Sequence, residues 1–483
     1  MLTYGEVDRL QEDKKIINTA VKGVGFTFAA QFISLVLSLS RSIILPKVLS
    51  VSDYGYWQIY VLYSTYVGLF ALGFNDGIYL IYGKYQYNEL PFKKLRMANR
   101  FYFVMLTIFT LLGTILSFVL CNGERRIAFM AVCIDILLMG INSLLLYILQ
   151  ITNQIKAYSF YVVLDKIILL CGIFAICFMP ERYFYYVIFA DVFSKLVVSI
   201  ALIKCNMILI FGKSTNLSNG FIEFKKVVSV GLNLMIANLM GMIVTGIGRI
   251  MVDIWGDITE YAFYSFGITI TNLILVFITA VSLVLYPTLK RLPKCNYGQY
   301  FNTLNDCVRF FNFTSLFAYF LMVLLIKFFL PKYLPILSYL NILFGVIVLQ
   351  SKMQLVNNTF YKVLRKEKEM LKANMSCVLM FLIIVSLTYY STRDVKGIAV
   401  ATFISMLYRC YASEIFIGKR MKALNYKNIL IEFTYILIFI FSTEFFSFSI
   451  AIVIQTFNFS LYAVLNFKKN RDFICSIVHK FLH

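Results

Sequence analysis

Apolar runs closed by short polar stretches recur from residue 18 to residue 467 of a 483-residue chain. A run of about 20 apolar residues is what a helix needs to cross the hydrocarbon core of a bilayer. On that measure the sequence predicts about fourteen spans, placed at 18–45, 54–83, 98–121, 127–150, 158–180, 183–206, 227–252, 261–287, 304–330, 336–360, 372–391, 396–417, 429–446 and 448–467. The prolines fit this division. Pro46, Pro91, Pro180, Pro287, Pro293, Pro331 and Pro335 all fall in predicted loops or at span ends, where a missing helical hydrogen bond costs least. The thinnest junction lies between the last two spans, for which one kinked or re-entrant segment is the alternative. The expected fold is an all-α integral membrane protein.

Two stretches of this pattern resemble each other. QFISLVLSLSRSIILPKVLSVSDYGYW begins at Gln31, and NLMGMIVTGIGRIMVDIWGDITEYAFY begins at Asn238. Each is a long span with one arginine near its end, Arg41 or Arg249. Each is followed by an acid–aromatic pair, Asp53-Tyr54 or Glu260-Tyr261, that opens the next span. Six spans separate the copies, so both cross in the same direction. That predicts two pseudo-symmetric six-helix bundles related by an axis along the membrane normal. The expected organisation is an N-terminal lobe at 1–210, a cytoplasmic linker at 211–226, a C-terminal lobe at 227–420, two further spans at 428–467 and a cytoplasmic tail at 468–483.

Composition sharpens the class. Only 14% of residues are charged and 60% are hydrophobic, against about 25% charged in soluble domains. The apolar runs fill the chain, so it is one membrane domain rather than a soluble domain on an anchor. The net charge of +21 sits in short loops, which argues for a topology signal over nucleic-acid binding. Of the 45 Lys and Arg, about 31 fall on the side of the N-terminus, about 8 on the other side and about 6 inside spans. The positive side is the cytoplasmic one, which puts both termini in the cytoplasm. Its densest loop holds Lys362, Arg365, Lys366, Lys368 and Lys372. Trp57 and Trp255 fall near outer span ends, where amphipathic rings favour the interface. The polar N-terminal segment lacks the pattern of a cleaved signal peptide. Ten cysteines without a CxxC pair argue against a zinc site or a disulfide framework. No metal or cofactor is expected.

Ionisable groups inside spans are expensive and by default face a bundle interior or a water-filled cavity. Thr27, Gln31, Ser34, Ser38 and Arg41 share one helical face of the first span, and Asn238, Thr245, Arg249 and Asp253 repeat the device in the seventh. Asp165, Lys166, Asp191 and Lys195 lie in the fifth and sixth spans. Asp191 and Lys195, four apart, can pair on one face. Lys352 and Asn341 share a stripe of the tenth span, and Arg409 lies in the twelfth. Such pairs can serve only to neutralise each other and fix packing. Arg41, Lys166, Lys195, Arg249, Lys352 and Arg409 together suggest a cavity for an anion, with phosphate oxygens the favoured partners. Asp165, Asp191 and Asp253 are candidates for charge pairing or ion coupling. Asp76 either caps or turns the inner end of the second span.

Catalysis finds little support. The two histidines, His479 and His483, lie in the tail, and no HExxH, Walker, GxGxxG or GxSxG sequence is present.

The segment VLSVSDYGYWQIYVLYSTYVGLFALGFNDGIYLIYG resembles the start of bacterial polysaccharide repeat-unit flippases, members of the MOP superfamily with the MATE drug exporters and the lipid II flippases. The matching features are S-x-x-D-Y-G at Ser50–Gly55 and G-F-x-D-G-x-Y-x-x-Y-G at Gly73–Gly83. The resemblance implies a MATE-like fold in the bacterial cytoplasmic membrane, with two lobes around a cationic cavity that alternates between inward- and outward-open states. It implies transport of an undecaprenyl-pyrophosphate-linked oligosaccharide for O-antigen, capsule or exopolysaccharide, driven by H⁺, Na⁺ or membrane potential, with membrane lipids as the other partners. One departure is Ile81, where members often carry a basic residue. A MATE-type exporter would want acidic cavity groups for cationic drugs. A membrane polymerase would want a large outer loop, and an acyltransferase an intramembrane histidine. Fourteen spans also fit a lipid II flippase.

Overall fold

The structure is a computed structural model, and it describes residues 32–83, 85–291, 297–392 and 394–465. Residues 18–31 of the first predicted span (with Thr27 and Gln31), Pro293 and the tail from 466 lie outside the described residues. Helices make up most of the described residues, with no strand among them. In chain order the α-helices are α1 (32–48), α2 (Val51–Ser64), α3 (Phe74–Tyr82), α4 (Phe92–Leu120), α5 (Gly123–Ile151), α6 (Ile155–Cys177), α7 (Phe184–Cys205) and α8 (Met207–Ile210). They continue with α9 (Leu217–Trp255), α10 (Ile258–Arg291), α11 (Tyr297–Ser315), α12 (Ala318–Phe329), α13 (Leu337–Lys352), α14 (Asn358–Val363), α15 (Glu367–Thr392), α16 (Val395–Arg420), α17 (Tyr426–Phe445) and α18 (Phe448–Leu465). Every predicted span has a helical counterpart, and 10 of the described segments are long and apolar enough to cross a membrane.

Three boundaries differ from the pattern-based reading. The second span is not continuous. Leu72 and Gly73 adopt φ of 46° and 76° and break it into α2, the turn Val67–Ala71 and α3. The ninth span breaks between α11 and α12. The expected linker is largely helix, since α9 begins at Leu217 and carries Glu223, Lys225 and Lys226 in its first turns. Hydropathy sees only apolar runs, and neither an internal left-handed residue nor a polar helical extension changes such a run. The last pair is two helices, α17 and α18, separated by Phe446 and Ser447 and packed on each other.

The chain divides into two compact units, Met1–Leu239 and Met240–His483, the division falling inside α9. In the first unit α5 packs against α2, α4 and α7, and α6 packs on α7. In the second, α13 packs against α10, α11 and α16, and α15 packs on α16. Counted in spans, these are the same pairings six spans apart. In the second unit α17 is added against α13.

The two repeat copies share a local cause. Ser50 Oγ accepts the Asp53 amide (3.0 Å) at the start of α2. In the other copy the Asp257 and Glu260 side chains take each other's backbone amides at 2.7 and 3.1 Å before α10. Both are caps that satisfy amides a helix start leaves open. In both, the following tyrosine, Tyr54 or Tyr261, is buried.

Candidate functional site

The first unit holds a buried charge cluster. Lys195 Nζ on α7 lies 2.7 Å from Asp135 Oδ2 on α5 and 2.7 Å from Asp191 Oδ2 one turn before it. Tyr60 on α2 donates to Asp191 (2.6 Å) and accepts from Lys195 (2.8 Å), and Ser64 donates to Asp135 (2.7 Å). The Asp135 side chain is 0% exposed and that of Lys195 12%. Taking ions out of water costs several kcal/mol each and is offset only when further hydrogen bonds complete the pair. Tyr60 and Ser64 supply them. Ser194 links the cluster to Asp165 on α6 (2.9 Å), and Lys166 lies 3.7 Å from Asp165.

Arg41 stands apart from this cluster. On α1 it lines a pocket of about 190 Å³ with Ser38 of its own helix and Lys166, Leu169 and Ile173 of α6. Its guanidinium lies 6.0 Å from the Trp57 ring centre, and it forms no ion pair among the described residues.

The second unit repeats the lysine cage with the signs exchanged. Lys352 Nζ on α13 lies 2.8 Å from Glu414 on α16 and 2.5 Å from Glu432 on α17. Arg309 on α11 approaches Glu432 to 3.8 Å and pairs with Asp306 at 2.8 Å. In the first unit the fourth span gives an acid and the sixth a lysine. In the second the corresponding spans give a lysine and an acid. Asn341 donates to Glu444 of α17 (3.1 Å), so the Asn341–Lys352 stripe faces α17. Glu444 also pairs with Lys396.

Arg249, on α9, lines a separate pocket of about 460 Å³ with Thr245, Tyr264, Asn272, Gln350 and Thr402. Its Nε is buried without a hydrogen-bond partner. Arg409 is held by neutral amides, Asn374 Oδ1 at 2.9 Å and Gln350 Oε1 at 3.4 Å. Gln350 therefore joins Arg409 to the Arg249 pocket. Asp253 is buried one turn beyond Arg249.

The six predicted cations thus divide. Lys195 and Lys352 are each gripped by two carboxylates. Arg41, Arg249 and Arg409 have no carboxylate partner among the described residues, and Lys166 has only its chain neighbour. Sequence reading passed over Asp135, Arg309, Glu414 and Glu432. The available clue was the one used for the others, an ionisable residue inside an apolar run.

The glycine-rich motif has a packing role. A Cβ on Gly77 would lie 2.0 Å from Val227 O, and one on Gly231 would lie 1.9 Å from Gly73 O. Gly73 and Gly77 form a small-xxx-small face that lets α3 and α9 touch through their backbones. Phe74 stacks on Tyr102 at 4.5 Å, and Tyr82 donates to Glu223 of α9 at 2.6 Å. Asp76 sits in the first turn of α3, where negative charge suits the helix dipole.

Residues 20–292 match the family model described as polysaccharide biosynthesis protein. The chain belongs to the polysaccharide biosynthesis protein family. The match spans both motifs, Arg41, Lys166, Lys195 and Arg249. No curated protein sequence matches this family member significantly. Among solved structures, the lipid II flippase MurJ in an inward closed conformation aligns at TM-score 0.60 and 17% identity, covering 93% of this chain and 100% of that one. An outward-facing multidrug resistance MATE family transporter of the MOP superfamily aligns at TM-score 0.52 and 12% identity, covering 83% and 96%. The inward-facing form of such a transporter aligns at TM-score 0.52 and 13% identity, covering 80% and 98%. This polysaccharide biosynthesis protein therefore shares the fold of the MurJ and MATE structures.

Proposed function

We propose that this protein flips undecaprenyl-pyrophosphate-linked oligosaccharide repeat units across the bacterial cytoplasmic membrane by alternating access, for surface polysaccharide synthesis. Both termini lie in the cytoplasm in this reading, on the side richer in Lys and Arg. The observation that carries it is the pair of carboxylate-free arginines, Arg41 and Arg249, at matching places in the two repeats of a polysaccharide biosynthesis protein. A guanidinium offers the fork of donors that fits phosphate oxygens. Arg409 and Lys166 extend these two sites. Lys195 and Lys352 enter as neutralised members of the bundle cores, and Asp165, Asp191 and Asp253 as pairing or coupling groups for H⁺ or Na⁺.

Deletion and complementation test the reading. Loss of the gene should abolish surface polysaccharide and accumulate lipid-linked repeat units on the cytoplasmic face. Re-expression should restore the polysaccharide. A deletion that leaves polysaccharide intact but depletes cross-linked peptidoglycan would point to lipid II instead.

A further inference from the structure

We propose that Asp135 binds a proton, and that this protonation is linked to an anion held at Arg41. The second half rests on the reading of Arg41 as an anion site given above. The first half stands on the cluster alone.

The charge count is the starting point. Around Asp135, Lys195, Lys166 and Arg41 face three carboxylates, Asp135, Asp165 and Asp191. Lys166 is nearest Asp165, and Lys195 is shared by the other two. Arg41 supplies the third positive charge, without an ion pair of its own among the described residues, across the pocket that it lines with Lys166. An anion at Arg41 takes up that positive charge. The cage is then left with two buried carboxylates on one lysine, an arrangement that a membrane interior penalises.

Geometry selects Asp135 to relieve it. Its Oδ1 is buried and has no hydrogen-bond partner. The neighbouring Asp191 Oδ2, by contrast, takes both Tyr60 and Lys195. Among the other titratable groups on α5 and the helices packed against it, Cys133 lies 3.5 Å from Ser117 Oγ and Tyr63 of α2 lies against Phe129. Tyr60 of α2 is engaged, and Tyr102 of α4 donates to Gly140 O. Tyr79 of α3 lies against Tyr147, well along α5. Asp76 is at the start of α3, and the turn Val67–Ala71 carries no titratable side chain. A proton on Asp135 Oδ1 converts a carboxylate to a carboxylic acid and restores one negative to one positive charge in the cage. The proton comes from water and returns to it, so no co-reactant is needed. By reciprocity, the protonated cage holds the anion at Arg41 more tightly. In the second unit Arg309 already stands beside Glu432 as a second buried cation.

The cages differ in chemistry, and this makes the test direct, because the first is built from aspartates and the second from glutamates. Infrared difference spectra are recorded on the full-length protein in lipid bilayers as pH is lowered, and again on adding inorganic pyrophosphate at fixed pH. The expected result is a protonated-carboxyl band that grows on acidification, shifts when aspartate carries a carbon-13 carboxyl label, and is missing in Asp135→Asn. Pyrophosphate should enlarge the band, and Arg41→Ala should abolish that increment but keep the pH-driven band. If Asp135→Asn does not fold, Ser64→Ala removes a hydrogen bond to the same carboxyl and should move the band's frequency. A band absent, indifferent to the aspartate label, persisting in Asp135→Asn or unmoved in Ser64→Ala overturns the proton site. An Asp135 band unmoved by pyrophosphate overturns the linkage. Surface polysaccharide decides separately whether the protein is a flippase.

Discussion

The amide nitrogen of Phe184 lies 3.0 Å from Asp53 Oδ1, while the other oxygen of the same carboxylate is hydrogen-bonded to Ser50 Oγ at 2.5 Å. One acidic side chain thus serves the starts of two helices, α2 and α7, 131 residues apart in sequence. The S-x-x-D-Y-G motif is therefore a helix-start clamp.

This predicts that Asp53→Ala lowers stability by about 1–3 kcal/mol, since the carboxylate's hydrogen bonds to Ser50 Oγ and to the Phe184 amide are lost together. Ser50→Ala should cost less, because the Phe184 contact survives. Thermal unfolding in detergent measures both. Equal stability of Asp53→Ala and the parent would show the clamp to be decorative.

Gly231 and Gly241 lie on the same helix and make a matched pair. A Cβ at Gly231 runs into the backbone of Gly73, whereas one at Gly241 meets nothing within 4 Å. Gly231→Ala should reduce membrane abundance or unfolding temperature sharply. Gly241→Ala should be neutral or stabilising by up to about 1 kcal/mol, from helix propensity alone. Similar behaviour of the two variants would contradict the close approach of α3 and α9.

The Lys352 cage predicts strong non-additivity. Lys352→Met leaves Glu414 and Glu432 buried without their shared cation, and breaking such a pair costs about 3–5 kcal/mol. Adding Glu432→Gln should restore part of the loss. A double-mutant cycle on thermal stability reads the coupling. Additive effects would mean that the two charges do not depend on each other.

The helices were legible in the chain because apolar run length alone sets a span, and Asp191 with Lys195 was legible because four residues make one helical turn. The rest of each cage was not. Asp135 is 60 residues from Lys195, and Glu432 is 80 from Lys352, distances at which sequence carries no geometry. Asp135, with Asp191, and Glu414, with Glu432, place two of the predicted cations between two carboxylates each. The break at Leu72–Gly73 escaped because the surrounding residues stay apolar, although the glycines of G-F-N-D-G marked a close approach. The acid–tyrosine pairs of the repeat were visible for a local reason, since a helix cap is written in consecutive residues.

The central claim is that the carboxylate-free arginines of the two repeats hold the pyrophosphate of a lipid-linked glycan, and surface polysaccharide measured at equal membrane abundance tests it most directly. The account predicts that Arg41→Ala and Arg249→Ala each abolish or sharply reduce polysaccharide, that lysine at either position retains part of it as a point charge without the fork, and that methionine retains none. Normal polysaccharide in both alanine variants, or full rescue by methionine, would contradict it.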